Sequence, residues 1–166
     1  MNLLLPPEIV SKLSAALRRA GTREIGGILM GEHVGIDTFR VKELTIQRRA
    51  GTFATFIRLV DELIAPLREF FESTNHDYSR FNYLGEWHSH HSFALMPSGR
   101  DDKTMRDIVD DPGFGTRFVV LLLVKLDQSG QLEHTVTVYQ PNAAPFVGTV
   151  AHDDGGRANV RDICDD

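Results

Sequence analysis

The apolar run at residues 118–124, FVVLLLV, constrains the fold of this chain more than any other stretch. It has the length of a strand, and it lacks the alternation of polar and apolar residues expected where one face of a sheet meets water. Such a strand is typical of the inside of a sheet that is covered on both faces. The run therefore predicts a central strand with other elements packed on each side of it.

The segments around this run predict helices and further strands. Pro6 and Pro7 precede apolar residues at helical spacing, which predicts a helix over residues 7–20. The glycine-containing segment 24–31 predicts a buried strand, and the alternating segment 38–46 predicts its hairpin partner. The other predicted elements are a strand at 53–59, a helix over 61–73 that Pro66 kinks or begins, a strand at 83–90, a helix at about 99–109 and a strand at 132–139.

This order of elements predicts the α/β class, a mixed sheet with helices packed on its faces. The chain has 166 residues, which is the size of one domain with its own core, and we expect that domain over residues 1–140. The composition changes after Pro141, so residues 141–166 are expected to form a flexible acidic tail. No apolar stretch is long enough to span a bilayer and no basic region precedes the leucines at 3–5, so we expect a cytoplasmic protein without membrane partners.

Charge and cysteine content exclude several kinds of function. The formal net charge is -5 and the basic residues are scattered, which argues against a nucleic-acid partner. Cys164 is the only cysteine, so the chain cannot form an internal disulfide, a cysteine-based zinc finger or the cysteine half of a nucleobase deaminase site. Any zinc must therefore be bound by histidine and carboxylate.

The strongest candidate for such a site begins on the predicted strand at 83–90. His88 and His90 are two residues apart, so on a strand both rings point to the same face. Ser98 is a good N-cap for the next predicted helix and would place Asp101 in its first turn. Such a histidine pair alone is more often an ordinary surface or core feature. With the serine and the aspartate it predicts a zinc site of three ligands and one open position.

Glu24, His88-Ser89-His90, Ser98 and Asp101 together resemble the JAMM motif of the MPN+ metallopeptidases. That motif has a distant glutamate, His-x-His, a gap of seven residues, a serine and, after two more residues, an aspartate. His91 stands where the family usually has proline, which changes the loop that leaves the strand but removes no ligand. Because it is adjacent to His90, His91 is expected to point to the opposite face, and we do not count it as a ligand.

The resemblance implies an MPN fold, a cytidine-deaminase-like mixed sheet flanked by helices. It implies Zn²⁺ on His88, His90 and Asp101, Glu24 as general base and then general acid, and Ser98 as a donor to the oxyanion. From the residues alone, a glutamate so far upstream would be an ordinary surface charge. Glu86, on the face of the two histidines, is its rival, and we interpret it as structural or supporting. A nucleophilic role for Ser98 is the weaker hypothesis, because both histidines are used by the metal.

The implied reaction is zinc-dependent hydrolysis of an amide bond after the C-terminus of ubiquitin or a ubiquitin-like protein, in deconjugation or precursor processing. The chain resembles the single-domain bacterial deconjugases of antiphage defence operons. Its expected partners are therefore a ubiquitin-like protein or its conjugates, with ubiquitin-activating-like and ubiquitin-conjugating-like proteins of the same operon. Two alternatives stay open: a zinc peptidase or amidase for small substrates, and a metal-free MPN scaffold.

Overall fold

The structure, a computed structural model, describes residues 1–47, 56–91 and 94–153, and of residues 56–63 it describes the backbone alone. This part of the chain contains three helices and eight strands. In order they are β1 (Asn2–Leu5), α1 (Pro7–Ala20), β2 (Gly26–Gly35), β3 (Thr38–Leu44), α2 (Phe56–Ser73), β4 (Phe81–Ser89), α3 (Gly99–Val109), β5 (Val119–Leu126), β6 (Leu132–Tyr139), β7 (Phe146–Val147) and β8 (Thr149–His152).

All the strands belong to one mixed sheet with the order β7-β6-β5-β4-β2-β3-β1-β8. The pairs β4–β5, β1–β3 and β1–β8 are parallel, and the other neighbours are antiparallel. β4 lies between β2 and β5, and its residues are hydrogen-bonded on both sides. The predicted α/β class with a mixed sheet is confirmed.

Helices cover the sheet on both faces. α1 packs on one face, while α2 and α3 pack on the other, where Glu86 of β4 lies beside Ile28 of β2 and Leu121 of β5. This arrangement explains the apolar run, because alternate residues of β5 enter the two cores. Residues packed with α1 are Val120, Leu122 and Val124, and those packed with α3 are Val119, Leu121 and Leu123; each is at most 1% exposed.

One predicted strand was wrong, one of two alternatives for a helix is excluded, and one strand was missed. Residues 53–59 were expected as a strand, but helix α2 begins at Phe56, and residues 53–55 lie outside the described part. A short apolar stretch has too few residues to distinguish the periods of helix and strand. α2 passes through Pro66, which excludes the alternative of a helix that starts beside this proline. Strand β1 was not predicted, because a strand of four residues carries little periodicity.

The C-terminal segment is part of the sheet, so the predicted flexible tail does not start at residue 141. β7 pairs with β6 and β8 pairs with β1, so this segment forms both ends of the strand order. Asp153 forms an ion pair with Arg40 of β3. The rings of His134 and His152 lie 5.8 Å apart and bring β6 near β8, so the sheet nearly closes. These pairings over long sequence separations gave no local signal. Residues 154–166 lie outside the described part.

Candidate metal centre

His88 and His90 lie at the C-terminal end of β4, the strand held between β2 and β5. His88 is opposite Gly26 of β2 and beside Leu123 of β5. A Cβ atom at Gly26 would lie 3.0 Å from the Cβ of His88 and 2.6 Å from the carbonyl oxygen of Trp87. A glycine is therefore required at this position to let the backbone of β2 approach Trp87 and His88 of β4 closely. Trp87 points to the other face and is buried in the core.

The three predicted metal ligands come together in space. The Nε2 atoms of His88 and His90 are 3.1 Å apart, and Nε2 of His88 is 3.6 Å from Oδ1 of Asp101. One ligand atom from each residue lies within 4.8 Å of the other two. Zinc with bonds of 2.0–2.2 Å in a tetrahedron holds its ligand atoms about 3.3 Å apart. The three side chains thus fit a zinc ion, with the fourth position left for water or substrate.

A backbone carbonyl orients the His90 ring. Its Nδ1 lies 2.9 Å from the carbonyl oxygen of Ala94. A carbonyl only accepts hydrogen bonds, so Nδ1 carries the proton and Nε2 presents its lone pair to the metal position. Partners of this kind fix the tautomer and the orientation of metal-binding histidines.

Ser98 is the predicted N-cap of α3, and Asp101 completes a capping box with it. One carboxylate oxygen of Asp101 accepts a hydrogen bond in this box, and the other faces His88. The backbone N–H of Ser98 donates to Oδ2 of Asp101 at 2.7 Å, and the backbone N–H of Asp101 donates to Oγ of Ser98 at 3.2 Å. This reciprocal pair is a capping box. Oδ1 of Asp101 faces His88, while the Ser98 hydroxyl accepts in the cap and keeps its own proton for donation. Capping and catalysis are therefore compatible for Ser98.

Burial keeps the His88 ring in the form that binds metal. It lowers the pKa of His88 to about 4; the charge of Asp101 opposes this shift, and His90 adds to it. At neutral pH the ring is therefore uncharged, as a zinc ligand must be.

Glu86 lies two residues before His88 on the same face of β4 and is 6% exposed. Burial raises its pKa to about 8; Tyr83 counteracts this effect and Asp101 adds to it. Glu86 is thus largely protonated at neutral pH in the metal-free protein, which argues against it as the general base. The buried Tyr83 hydroxyl is close enough to interact with Glu86, but it has no partner of full hydrogen-bond geometry among the described residues.

Glu24 precedes β2 and has an exposed side chain. The next residue, Ile25, exchanges hydrogen bonds with Ser89: its N–H donates to Oγ at 3.0 Å, and its carbonyl accepts from the Ser89 N–H at 2.8 Å. Continuing this antiparallel register by one residue places Glu24 opposite His90. The position suits a group that acts at the edge of the metal centre, and the role of Glu24 stays a prediction.

Sequence reasoning did not identify the residues that support the ligands. Ser89, between the two histidines, is 3% exposed and binds the start of β2 through its hydroxyl. Its position on the opposite face could have indicated a structural role. The Ala94 carbonyl and two polar groups of β6, Thr135 and Tyr139, gave no signal, because their contacts join residues remote in sequence or belong to the backbone.

In the described part of the chain, the two candidate catalytic residues beside the metal ligands lie at the surface. Ser98 and Glu24 are exposed, and His91 lines a shallow polar depression with Lys125 and Glu133. A cavity of about 710 Å³ lies near the other end of β4, between α2 and the loop at 114–118, and none of the metal ligands lines it. Within the described residues, the candidate centre and this cavity are thus separate features of the surface.

The sequence was compared with models of protein families. Residues 6–138 match the model of the prokaryotic homologs of the JAB domain. The chain belongs to this family. The match includes the candidate site from Glu24 to Asp101 and confirms the predicted family, JAB/MPN, which includes metalloproteases.

A solved structure supports the same fold. The solution structure of protein DSY2949 from Desulfitobacterium hafniense superimposes with a TM-score of 0.62 at 15% identity, covering 92% of this chain and 93% of that one. A search of curated proteins found no match. Within the described residues, no helix is long and apolar enough to cross a membrane.

Proposed function

We propose that this JAB-domain protein is a zinc metallopeptidase that cleaves the amide bond after the C-terminus of a ubiquitin-like protein. One observation carries the proposal: Nε2 of His88 lies 3.1 Å from Nε2 of His90 and 3.6 Å from Oδ1 of Asp101, close to the spacing that tetrahedral zinc requires, and the three ligand atoms all lie within 4.8 Å of one another. A metal-free scaffold has no need for this set of ligands.

In the proposed hydrolysis, the metal ion, Glu24 and Ser98 each have a different role. Bound zinc supplies a Lewis acid and lowers the pKa of water to about 7. Glu24 would accept a proton as the water oxygen bonds to the carbonyl carbon, and the Ser98 hydroxyl would donate a hydrogen bond to the oxyanion and keep its proton. The C–N bond then breaks as Glu24 returns the proton to the leaving nitrogen, so the products are a carboxylate and an amine.

The shape of the site favours a protein tail as the substrate. Small-molecule sites are usually concave and bury most of the ligand, whereas Glu24 and Ser98 are exposed and the cavity near α2 contains no metal ligand. An extended C-terminal tail can reach such a centre from the surface. The alternative of a small-substrate peptidase would have to work without an enclosing pocket in the described part of the molecule.

The proposed setting is a bacterial antiphage conjugation system in the cytoplasm, where ubiquitin-activating-like and ubiquitin-conjugating-like proteins attach the tag. This part rests on the resemblance of Glu24, His88-Ser89-His90, Ser98 and Asp101 to the JAMM motif. Genes for such proteins beside this one would support it. Their absence would remove the defence setting and leave the chemistry unaffected.

The test combines zinc content with a cleavage assay. The full chain, purified without chelators, is expected to contain one zinc and to cleave a fusion in which a neighbouring ubiquitin-like protein precedes a reporter. A short peptide with the same C-terminal residues is the matched substrate. Equal cleavage of peptide and fusion would favour the small-substrate alternative, and protein without stoichiometric zinc would favour the scaffold.

A further inference from the structure

The segment at 94–102, here called the connector, carries Ser98 and Asp101 from β4 into α3. Its backbone and side chains bond to strand β6, which provides no metal ligand. The Thr135 hydroxyl donates to the carbonyl oxygen of Leu95 at 2.8 Å. The Tyr139 hydroxyl donates to Oδ1 of Asp102 at 2.5 Å, one residue beyond the metal-binding aspartate.

The hydrogen bond from Tyr139 reaches the first turn of α3, which has no buried apolar residue. The buried apolar residues of α3 are Met105, Ile108 and Val109, all in its second half. The first turn, from Gly99 to Asp102, is exposed or half-buried. Leu95 at the start of the connector packs against the apolar cluster of α3 and β5, whereas the first turn itself has polar contacts in place of apolar packing. The cap formed by Ser98 and Asp101 is internal to the connector, so it does not attach the helix to the sheet.

Tyr139 is suited to this task. Its side chain is fully buried against β5 and α3, so the hydroxyl is held by the core. Burial and the neighbouring Asp102 raise its pKa above the usual value, so the hydroxyl keeps its proton and donates.

We propose that Tyr139 and Thr135 of β6 are positioning residues for the metal centre, which hold the connector so that Asp101 completes the ligand set. This inference rests on the proposed zinc site. Neither residue touches the metal position. Tyr139 acts through Asp102, the residue after Asp101, and Thr135 acts through the carbonyl of Leu95, the residue after Ala94, whose carbonyl orients His90. Outer partners of metal ligands typically change metal affinity 10-fold to 100-fold when removed.

The test measures zinc affinity by competition with a chromophoric chelator and, separately, the melting temperature of the metal-free protein. Tyr139→Phe removes only the hydroxyl, and we expect zinc affinity to fall about 10-fold to 100-fold. Thr135→Val keeps the side-chain shape and should lower it about threefold to tenfold, the effect of one hydrogen bond. Thr137→Val is the matched control: Thr137 lies between them on the same face of β6 and has no side-chain hydrogen bond among the described residues, so zinc affinity should not change.

A second pair of variants avoids the core. Asp102→Ala should weaken zinc binding as much as Tyr139→Phe, and combining the two should add little, since both remove one bond. Asp102→Asn keeps an acceptor oxygen and should restore most of the affinity. Unchanged zinc affinity in both Tyr139→Phe and Asp102→Ala, with only a lower melting temperature, would overturn the inference alone. Absence of zinc binding in the unaltered protein would overturn the proposed function and this inference with it.

Discussion

The strand and the connector hold their metal ligands in different ways. His88 and His90 belong to β4, which is hydrogen-bonded to β2 and β5, so the sheet sets their spacing whether or not a metal is present. Asp101 lies in the first turn of α3, where it shares a capping box with Ser98, and the connector around it bonds to the sheet through the hydroxyls of Thr135 and Tyr139. The difference indicates that the two histidines form the rigid part of the site and that the aspartate is the adjustable ligand.

The largest effect is expected from His88→Ala. Removing one of three ligands should lower zinc affinity by at least about 10²-fold and abolish cleavage. The melting temperature of the metal-free protein should hardly change, because β4 keeps its backbone bonds. Zinc content and thermal unfolding measure both effects. A large loss of metal-free stability would contradict the view that the sheet sets the histidines independently.

Asp101→Ala should lower zinc affinity to a similar degree and should also destabilise the metal-free protein by about 1 kcal/mol, since it removes half of the capping box. Chemical denaturation after chelation measures this second effect. Asp107→Ala, which removes the exposed pair with Lys103 in the same helix, is the control and should cost at most about 0.5 kcal/mol. If the Asp101 and Asp107 variants were equally stable, the capping box would not contribute to holding the first turn of α3.

Ser98→Gly separates capping from catalysis in the connector. Glycine is a tolerated N-cap that costs only a few tenths of a kcal/mol relative to serine. The rate of cleavage should nevertheless fall about 10²-fold to 10³-fold, because the oxyanion loses its donor. Turnover at saturating zinc, together with thermal unfolding, gives both values. If Ser98→Gly retained full turnover, Ser98 would be a cap only.

Glu24→Gln should leave zinc affinity and stability unaltered while cleavage falls by roughly 10²-fold or more, through loss of proton transfer. Glu8→Gln, at another exposed glutamate, in the first turn of α1, is the control and should have full activity. Full activity of the Glu24 variant would remove this residue from the mechanism and would direct attention to Glu86.

Local signals in the sequence were sufficient for much of the fold. α1 spans residues 7–20, α3 spans 99–109 and β6 spans 132–139, all as predicted, because each has a turn or cap signal at its start or a clear period. The start of α2 and the strands β1, β7 and β8 were missed. These three strands have only two to four residues each and form by pairing with strands elsewhere in the chain. A short stretch of sequence carries no signal of such a pairing.

In the candidate site, too, some features were predictable from the sequence and others were not. The spacing of His88, His90, Ser98 and Asp101 was sufficient to predict that these side chains come together, since a strand alternates its side chains and a serine caps the helix that follows. The carbonyl that orients His90 and the hydroxyl of Tyr139 could not be predicted. Both depend on how the connector folds back against the sheet.

The sequence by itself determined the kind of site this protein has: two imidazoles, a carboxylate and a capping serine at distances along the chain that local backbone geometry converts into proximity. The tertiary structure alone decided how firmly each ligand is held, that Glu86 is buried beside the centre, and that the C-terminal strands complete the sheet. Local periods and caps are encoded in adjacent residues. Burial and hydrogen bonds between distant strands arise only when the whole chain packs.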